Sequence, residues 1–97
     1  MLYISLSLYY KEINKELIKL IIKIVSAIGG DTLELKVEEN ITIDALKDEI
    51  TRVKRIPKHI YVLAFRGSEI ANTTASLKSL EMQDNDKVYL IMRTEGG

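Results

Sequence analysis

The chain has 97 residues, of which 46% are apolar, and this is enough for one domain with a single core. Its 14 basic residues are balanced by 14 acidic ones, which gives no electrostatic sign of nucleic-acid or anionic-membrane binding. Cysteine is absent and His59 is the one histidine, which argues against disulfides, metal centres and catalytic triads. We therefore expect a protein that is not an enzyme and holds no cofactor.

Residues 1–19 carry two competing patterns. The stretch LYISLSLYY alternates apolar and small polar residues, which is typical of a strand. The overlapping stretch YYKEINKELIKL places apolar residues at helical spacing, with Glu–Lys pairs three residues apart. Lys19 and Lys23 interrupt the apolar run that follows, so we expect neither a membrane span nor a secretory signal, and a cytoplasmic protein.

A β-hairpin is predicted over LIIKIVSAIGGDTLELKV. Gly29-Gly30 followed by Asp31 supplies the turn, because glycine accepts positive φ without steric cost. Both arms alternate apolar and polar residues, and the alternating apolar positions are Ile22, Ile24, Leu33, Leu35 and Val37.

An amphipathic helix is predicted next. Thr42 has the side chain of an N-cap, and Asp44 in the first turn is favoured by the helix dipole. Ile56-Pro57 is the predicted stop, because proline lacks an N–H and disfavours helical geometry in the preceding residue. The apolar stripe at three- and four-residue spacing is Ile43, Leu46, Ile50 and Val53.

Two more strands complete the pattern. IYVLAF is predicted as a strand, RGS as a turn, SLKSLEMQDND as a loop with one helical turn, and KVYLIMR as the closing strand. In the closing strand, Val88, Leu90 and Met92 are predicted to face the core, whereas Tyr89, Ile91 and Arg93 face the other way. A hairpin, a helix and two strands predict an α+β fold with a mixed sheet packed on one helix.

These segments together resemble ubiquitin and the ubiquitin-like modifiers. The resemblance rests on TLELKV, TIDALKDEI with its Ile-Pro stop, LAFRG, and SLEMQDNDKVYLIMR before the final GG. The IKIVSAIGG start and the RTEGG end are most similar to modifiers of certain archaea that have eukaryote-type conjugation genes. The resemblance implies a β-grasp fold (ββαββ) over residues 20–92, followed by a conjugation tail at 93–97.

Residues 1–19 are then an N-terminal extension. In the family the first strand begins at the initiating methionine, and Leu20 stands at that place here. One hypothesis is that translation starts there; the other is that residues 1–19 add a packed element.

The resemblance also implies the chemistry of the tail. In the family an activating enzyme uses ATP to adenylate the terminal carboxylate, here that of Gly97. A conjugating enzyme then receives it as a thioester, and a ligase can assist its transfer to a lysine of a target protein. Gly96 and Gly97 suit a narrow channel because they lack side chains. The implied partners are these enzymes, a processing or deconjugating protease and the targets, and we expect a monomer.

Three residues before the diglycine are implied to contact the activating enzyme. Arg93 matches an arginine that activating enzymes recognise, and its planar guanidinium suits an acidic pocket. Thr94 and Glu95 replace a leucine and an arginine of ubiquitin. The charge reversal at Glu95 predicts a dedicated activating enzyme and protease.

A partner-binding patch is implied at Ile28, Ala64, Tyr89 and Ile91. Ala64 stands at the central isoleucine of ubiquitin's patch, and Tyr89 replaces a histidine. Losing that isoleucine removes on the order of 1–2 kcal/mol of apolar contact, for which the ring of Tyr89 partly compensates.

Most chain-forming lysines of ubiquitin are replaced, with Asp31, Ser68 and Asp84 at three of their positions. Lys47 remains, but residues 70–80 contain no acid, so we expect it to lack the acidic partner it has in the family. We therefore predict single modification, or chains through other lysines. The possible acceptors are Lys47, Lys54, Lys58 and Lys78.

Two alternatives to a covalent modifier stay open. Sulfur-carrier proteins share the fold and the terminal Gly-Gly, and carry sulfur as a thiocarboxylate. A noncovalent ubiquitin-like adaptor domain is the other alternative, since fold alone does not fix function.

Overall fold

The structure, a computed structural model, describes residues 18–93. The predictions for residues 1–17 and for Thr94, Glu95, Gly96 and Gly97 lie outside these residues. Within them the elements are β1 (Lys19–Ser26), β2 (Thr32–Glu38), α1 (Ile43–Lys54), a 3₁₀ turn (Lys58–Ile60), β3 (Tyr61–Phe65), β4 (Ser68–Glu69) and β5 (Lys87–Met92).

The strands form one mixed sheet in the order β2-β1-β5-β3-β4. β1 pairs antiparallel with β2 and parallel with β5, and β3 pairs antiparallel with both β5 and β4. This is the predicted α+β, β-grasp arrangement. One detail of the prediction was wrong: RGS is not only a turn, because Ser68 begins the two-residue strand β4, which is too short to show an alternating pattern.

The hairpin and the helix form where their local sequences predict them. Gly29 and Gly30 have φ of 89° and 71°, and they connect β1 to β2. The side chain of Thr42 accepts a hydrogen bond from the Ala45 N–H at 3.1 Å, which caps α1. The helix ends before the predicted Ile56-Pro57 stop, because Arg55 adopts a left-handed φ of 58° and donates its N–H to the Thr51 carbonyl.

The core lies between α1 and one face of the sheet, which we call the inner face. Its buried side chains are Leu20, Ile22, Ile24, Val37, Ile43, Leu46, Ile50, Tyr61, Leu63, Leu77, Met82, Val88 and Leu90. Two predicted members of core-facing rows are instead exposed, namely Val53 in the last turn of α1 and Met92 at the end of β5. Both lie where their element ends, so little of the neighbouring layer covers them.

The helices within residues 18–93 are short. α1 has 12 residues and, within residues 18–93, no helix is long and apolar enough to cross a membrane.

Candidate functional site: the outer face of the sheet

The face of the sheet turned away from α1, which we call the outer face, collects most of the predicted recognition residues. Val88 and Leu90 of β5 are buried, so the alternating residues Tyr89 and Ile91 lie on the outer face, and they are 43% and 40% exposed. Ala64 lies directly opposite Tyr89 in the β3–β5 ladder and therefore shares that face.

Ile28, the fourth predicted patch residue, lies beside this surface. It is 82% exposed in the turn that follows β1. The N–H of the adjacent Ala27 donates to the Leu90 carbonyl at 2.9 Å, which holds the turn against β5. The structure thus brings together four positions that are separated by as many as 63 residues in the sequence, counting from Ile28 to Ile91.

Two further apolar residues belong to the outer face, and the sequence prediction missed them. Val62 lies opposite Ile91, and Val25 lies opposite Tyr89; both are partly exposed. Their signal in the sequence was the alternation of β1 and β3, in which they take the positions between buried neighbours. Ala64 therefore has apolar side chains beside it along β3, at Val62, and across the ladder on β5, at Tyr89, whereas Glu69 of β4 lies opposite it on the other side.

Arg93 continues the outer-face row of β5. Its N–H donates to the Ile60 carbonyl at 2.7 Å, so the pairing with β3 extends one residue beyond Met92. Its guanidinium Nη2 lies 3.9 Å from Oε2 of Glu69 on β4, and both side chains are about half exposed. No pattern in the sequence indicates this pair, because it depends on the order of the strands.

Among the predicted acceptor lysines, Lys47 is the one held by uncharged groups. Its Nζ donates to the Tyr61 carbonyl at 3.4 Å and lies 4.9 Å from the centre of the Tyr61 ring. Burial, followed by the nearby charges of Arg93 and Lys58, lowers the pKa of the Lys47 amine. Within residues 18–93 Lys47 forms no ion pair.

Lys58 and Lys54 are each held by carboxylates. Lys58 Nζ lies 2.7 Å from Asp44 and 2.8 Å from Asp48, and hydrogen bonds to these two groups raise the pKa of the Lys58 amine. Lys54 Nζ lies 2.8 Å from Asp31, and the Lys54 side chain is only 17% exposed.

Lys78 is the least restrained of the four predicted acceptors. Its Nζ lies 3.9 Å from the Glu39 carboxylate, and its side chain is 54% exposed. A surface pair at that distance adds little stability, so the amine is loosely held and can exchange Glu39 for a partner.

Two of the acids that stand at chain-lysine positions of ubiquitin have structural contacts. Asp84 Oδ1 accepts the Ile21 N–H at 2.7 Å, which ties the loop before β5 to the start of β1. Asp31 pairs with Lys54, and this pairing lowers the pKa of the Asp31 carboxyl. Neither contact is local in sequence, and sequence reasoning identified neither.

A metal centre has no support in the part of the chain that is described. Residues 18–93 contain no group of three histidine or acidic side chains placed to hold a metal ion.

The mixed sheet over one helix, with an exposed apolar patch on its outer face and an arginine after its last strand, is the arrangement of a ubiquitin-like protein. A model of the ubiquitin family matches residues 22–95, and the chain belongs to that family.

Among solved structures, the chain is similar to the ubiquitin of Caldiarchaeum subterraneum, with 39% identity and a TM-score of 0.73. That match covers 81% of this chain and 99% of the Caldiarchaeum protein. The ubiquitin-like domain of an Arabidopsis thaliana protein has the same fold at 18% identity, with a TM-score of 0.72 and coverage of 81% and 82% of the two chains.

Proposed function

We propose that this protein is a covalent modifier, which an ATP-dependent activating enzyme charges at Gly97 and which is then joined to lysines of target proteins. The observation that carries the proposal is the 39% identity to an archaeal ubiquitin over 99% of that protein's length. The Gly96-Gly97 pair that follows the last strand in the sequence supports it.

The chemistry uses the carboxylate of Gly97 and needs no catalytic group on this chain. A carboxylate oxygen attacks the α-phosphorus of ATP, and pyrophosphate leaves. A cysteine thiolate of the activating enzyme then attacks the acyl carbon, and AMP leaves. After transfer to a conjugating enzyme, a target lysine attacks the thioester, and the thiolate leaves. The protein is thus the group that is carried, and ATP is a substrate of its partner.

The tail favours a dedicated set of partners. Glu95 places a negative charge two residues before Gly97, where ubiquitin has a positive one. An enzyme with an acidic channel for a basic tail would be repelled by it. We therefore assign the protein its own activating enzyme and protease, acting in the cytoplasm on a monomer.

The outer face supplies the proposed surface for noncovalent partners, such as the conjugating enzyme or a ligase. Ala64 offers little area, but Val62 and the ring of Tyr89 lie next to it, and Val25 extends the apolar surface beyond Tyr89. Partners that insert a small apolar side chain at Ala64 and pack an apolar rim on its neighbours fit this shape better than partners shaped for an isoleucine.

If chains form, Lys78 is the favoured acceptor. Its amine is exposed and weakly held, whereas Lys54 and Lys58 are paired with carboxylates and Lys47 is partly buried.

Trypsin digestion of cellular conjugates tests the proposal directly. Because trypsin cleaves after Arg93, a conjugated target lysine would retain the remnant Thr94-Glu95-Gly96-Gly97 on its side chain, and mass spectrometry would find it. Lysines with this remnant are the expected result. A Gly97 thiocarboxylate without conjugates would replace the modifier with a sulfur carrier. Finding neither product would favour a noncovalent adaptor.

A further inference from the structure

Arg93 and Glu69 face each other across an intervening strand. Arg93 follows β5 and Glu69 lies on β4, and β3 runs between these two strands in the sheet. Arg93 is level with Ile60 of β3, since its N–H donates to that carbonyl, and Glu69 is level with Ala64. The line from the guanidinium to the carboxylate therefore crosses β3 diagonally, at the level of Val62.

This crossing turns Arg93 toward the apolar patch. The apolar stem of an arginine packs readily on aliphatic side chains while its charged end stays in water. The Arg93 stem can thus lie on the row of Val62, with its charge near the Glu69 carboxylate at 3.9 Å. A guanidinium biased toward the sheet has fewer orientations to lose on binding than one carried by a free tail.

We infer that Glu69 is a positioning residue for activation, because its charge biases the guanidinium of Arg93 toward the outer face beside the apolar patch. This inference rests on the proposed function. The apolar patch, the Arg93–Glu69 pair and the start of the tail then form one continuous surface that the activating enzyme contacts.

Both side chains are half exposed and the pair is long, so it adds little to folding stability. Glu69→Gln therefore keeps the fold and the shape of the side chain, and removes only the charge. Glu49→Gln is the matched control, because Glu49 pairs with Arg52 at 2.7 Å on α1, on the opposite side of the sheet.

The experiment measures ATP-dependent thioester formation on the activating enzyme encoded in the same genome, with the full-length variants as substrates. Glu69→Gln should raise KM about threefold and leave kcat unchanged, which is the size expected for one exposed charge pair. Arg93→Ala should raise KM further, and the double variant should match Arg93→Ala, since Glu69 acts only through Arg93. Glu49→Gln should match the unmodified protein.

A spectroscopic readout accompanies the kinetics. The NMR resonance of the Arg93 Nε–H group should shift in Glu69→Gln and stay in place in Glu49→Gln. If Glu69→Gln left both the KM and the resonance unchanged, the inference would be wrong. Normal charging of the unmodified protein would in that case still support the proposed function. Fully additive effects of the two substitutions would also overturn it. Failure of the unmodified protein to be charged would overturn the proposed function and the inference together.

Discussion

The two faces of the sheet are built from the same strands but differ in how deeply their side chains are buried. On β5, Val88 and Leu90 are buried under α1, whereas Tyr89 and Ile91 are among the exposed large apolar residues. On β3, Tyr61 and Leu63 are buried, whereas Val62 and Ala64 face outward. Alternation along a strand separates the two sets with a period of two residues.

The difference shows where stability and recognition are located. A buried position on the inner face has neighbours on every side, so its volume is fixed by packing. A position on the outer face has room to change, so Ala64 and Tyr89 can differ from ubiquitin without disturbing the core. We therefore expect inner-face substitutions to change the free energy of unfolding, and outer-face substitutions to change binding.

The largest expected effect compares two neighbours on β5. Leu90→Ala empties a buried site and should lower the free energy of unfolding by about 2–4 kcal/mol. Ile91→Ala, one residue along, should lower it by less than about 1 kcal/mol because the side chain is already exposed. Urea denaturation of both variants measures the difference. Equal losses of unfolding free energy in the two variants would mean that Ile91 is also buried by packing, and that the outer face is not a free surface.

A gain in binding is the next largest effect. Ala64→Ile restores a branched side chain at the centre of the patch, and should tighten binding of a small helical domain that recognises ubiquitin's patch by about tenfold. Isothermal titration calorimetry measures the affinity, and Ser68→Ala, at an exposed position outside the patch, serves as the control. If Ala64→Ile left the affinity unchanged, this face would not be equivalent to the patch of ubiquitin.

Lysine reactivity gives a several-fold effect. With a limiting amount of an amine-reactive ester, Lys78 should be acylated severalfold faster than Lys58, because only the neutral amine reacts and hydrogen bonds to Asp44 and Asp48 raise the pKa of Lys58. Peptide mass spectrometry gives the relative rates. Faster acylation of Lys58 would show that its two carboxylates do not hold it in solution.

The smallest expected effect lies at the rim between the two faces, where Asp31 of the hairpin turn pairs with Lys54 of α1. The pairing lowers the pKa of the Asp31 carboxyl, so its contribution to stability is complete above the unfolded pKa of about 4 and is lost as the pH falls through the folded value. Asp31→Asn should therefore be less stable than the unmodified protein at pH 7, and this small difference should shrink at lower pH. A difference that stayed constant down to about pH 2.5 would exclude the carboxylate as its source.

Sequence patterns predicted the parts of the fold that depend on neighbours in the chain. The Gly29-Gly30 turn, the Thr42 cap and the alternation of β5 are local features, and the structure has all three. The fold class followed from the order of these elements together with the family resemblance.

The remaining features depend on which strands become neighbours. β4 has two residues and no detectable period, and Met92 is exposed because β5 ends there. Alternation alone places Val25 and Val62 on the outer face, but their positions beside Tyr89 and Ile91 depend on cross-strand pairing. Composition and spacing along one chain do not contain these contacts, so the patch was predicted in part.

The most direct test of the central claim is a thioester assay with ATP and the activating enzyme of the same genome. We expect a thiol-sensitive adduct between that enzyme and the full-length protein. The adduct should disappear when Gly96 and Gly97 are removed, and should form more slowly with Ile91→Ala. An adduct that forms without the two glycines, or no adduct with a demonstrably active enzyme, would contradict the claim that the carboxylate of Gly97 is the reactive group.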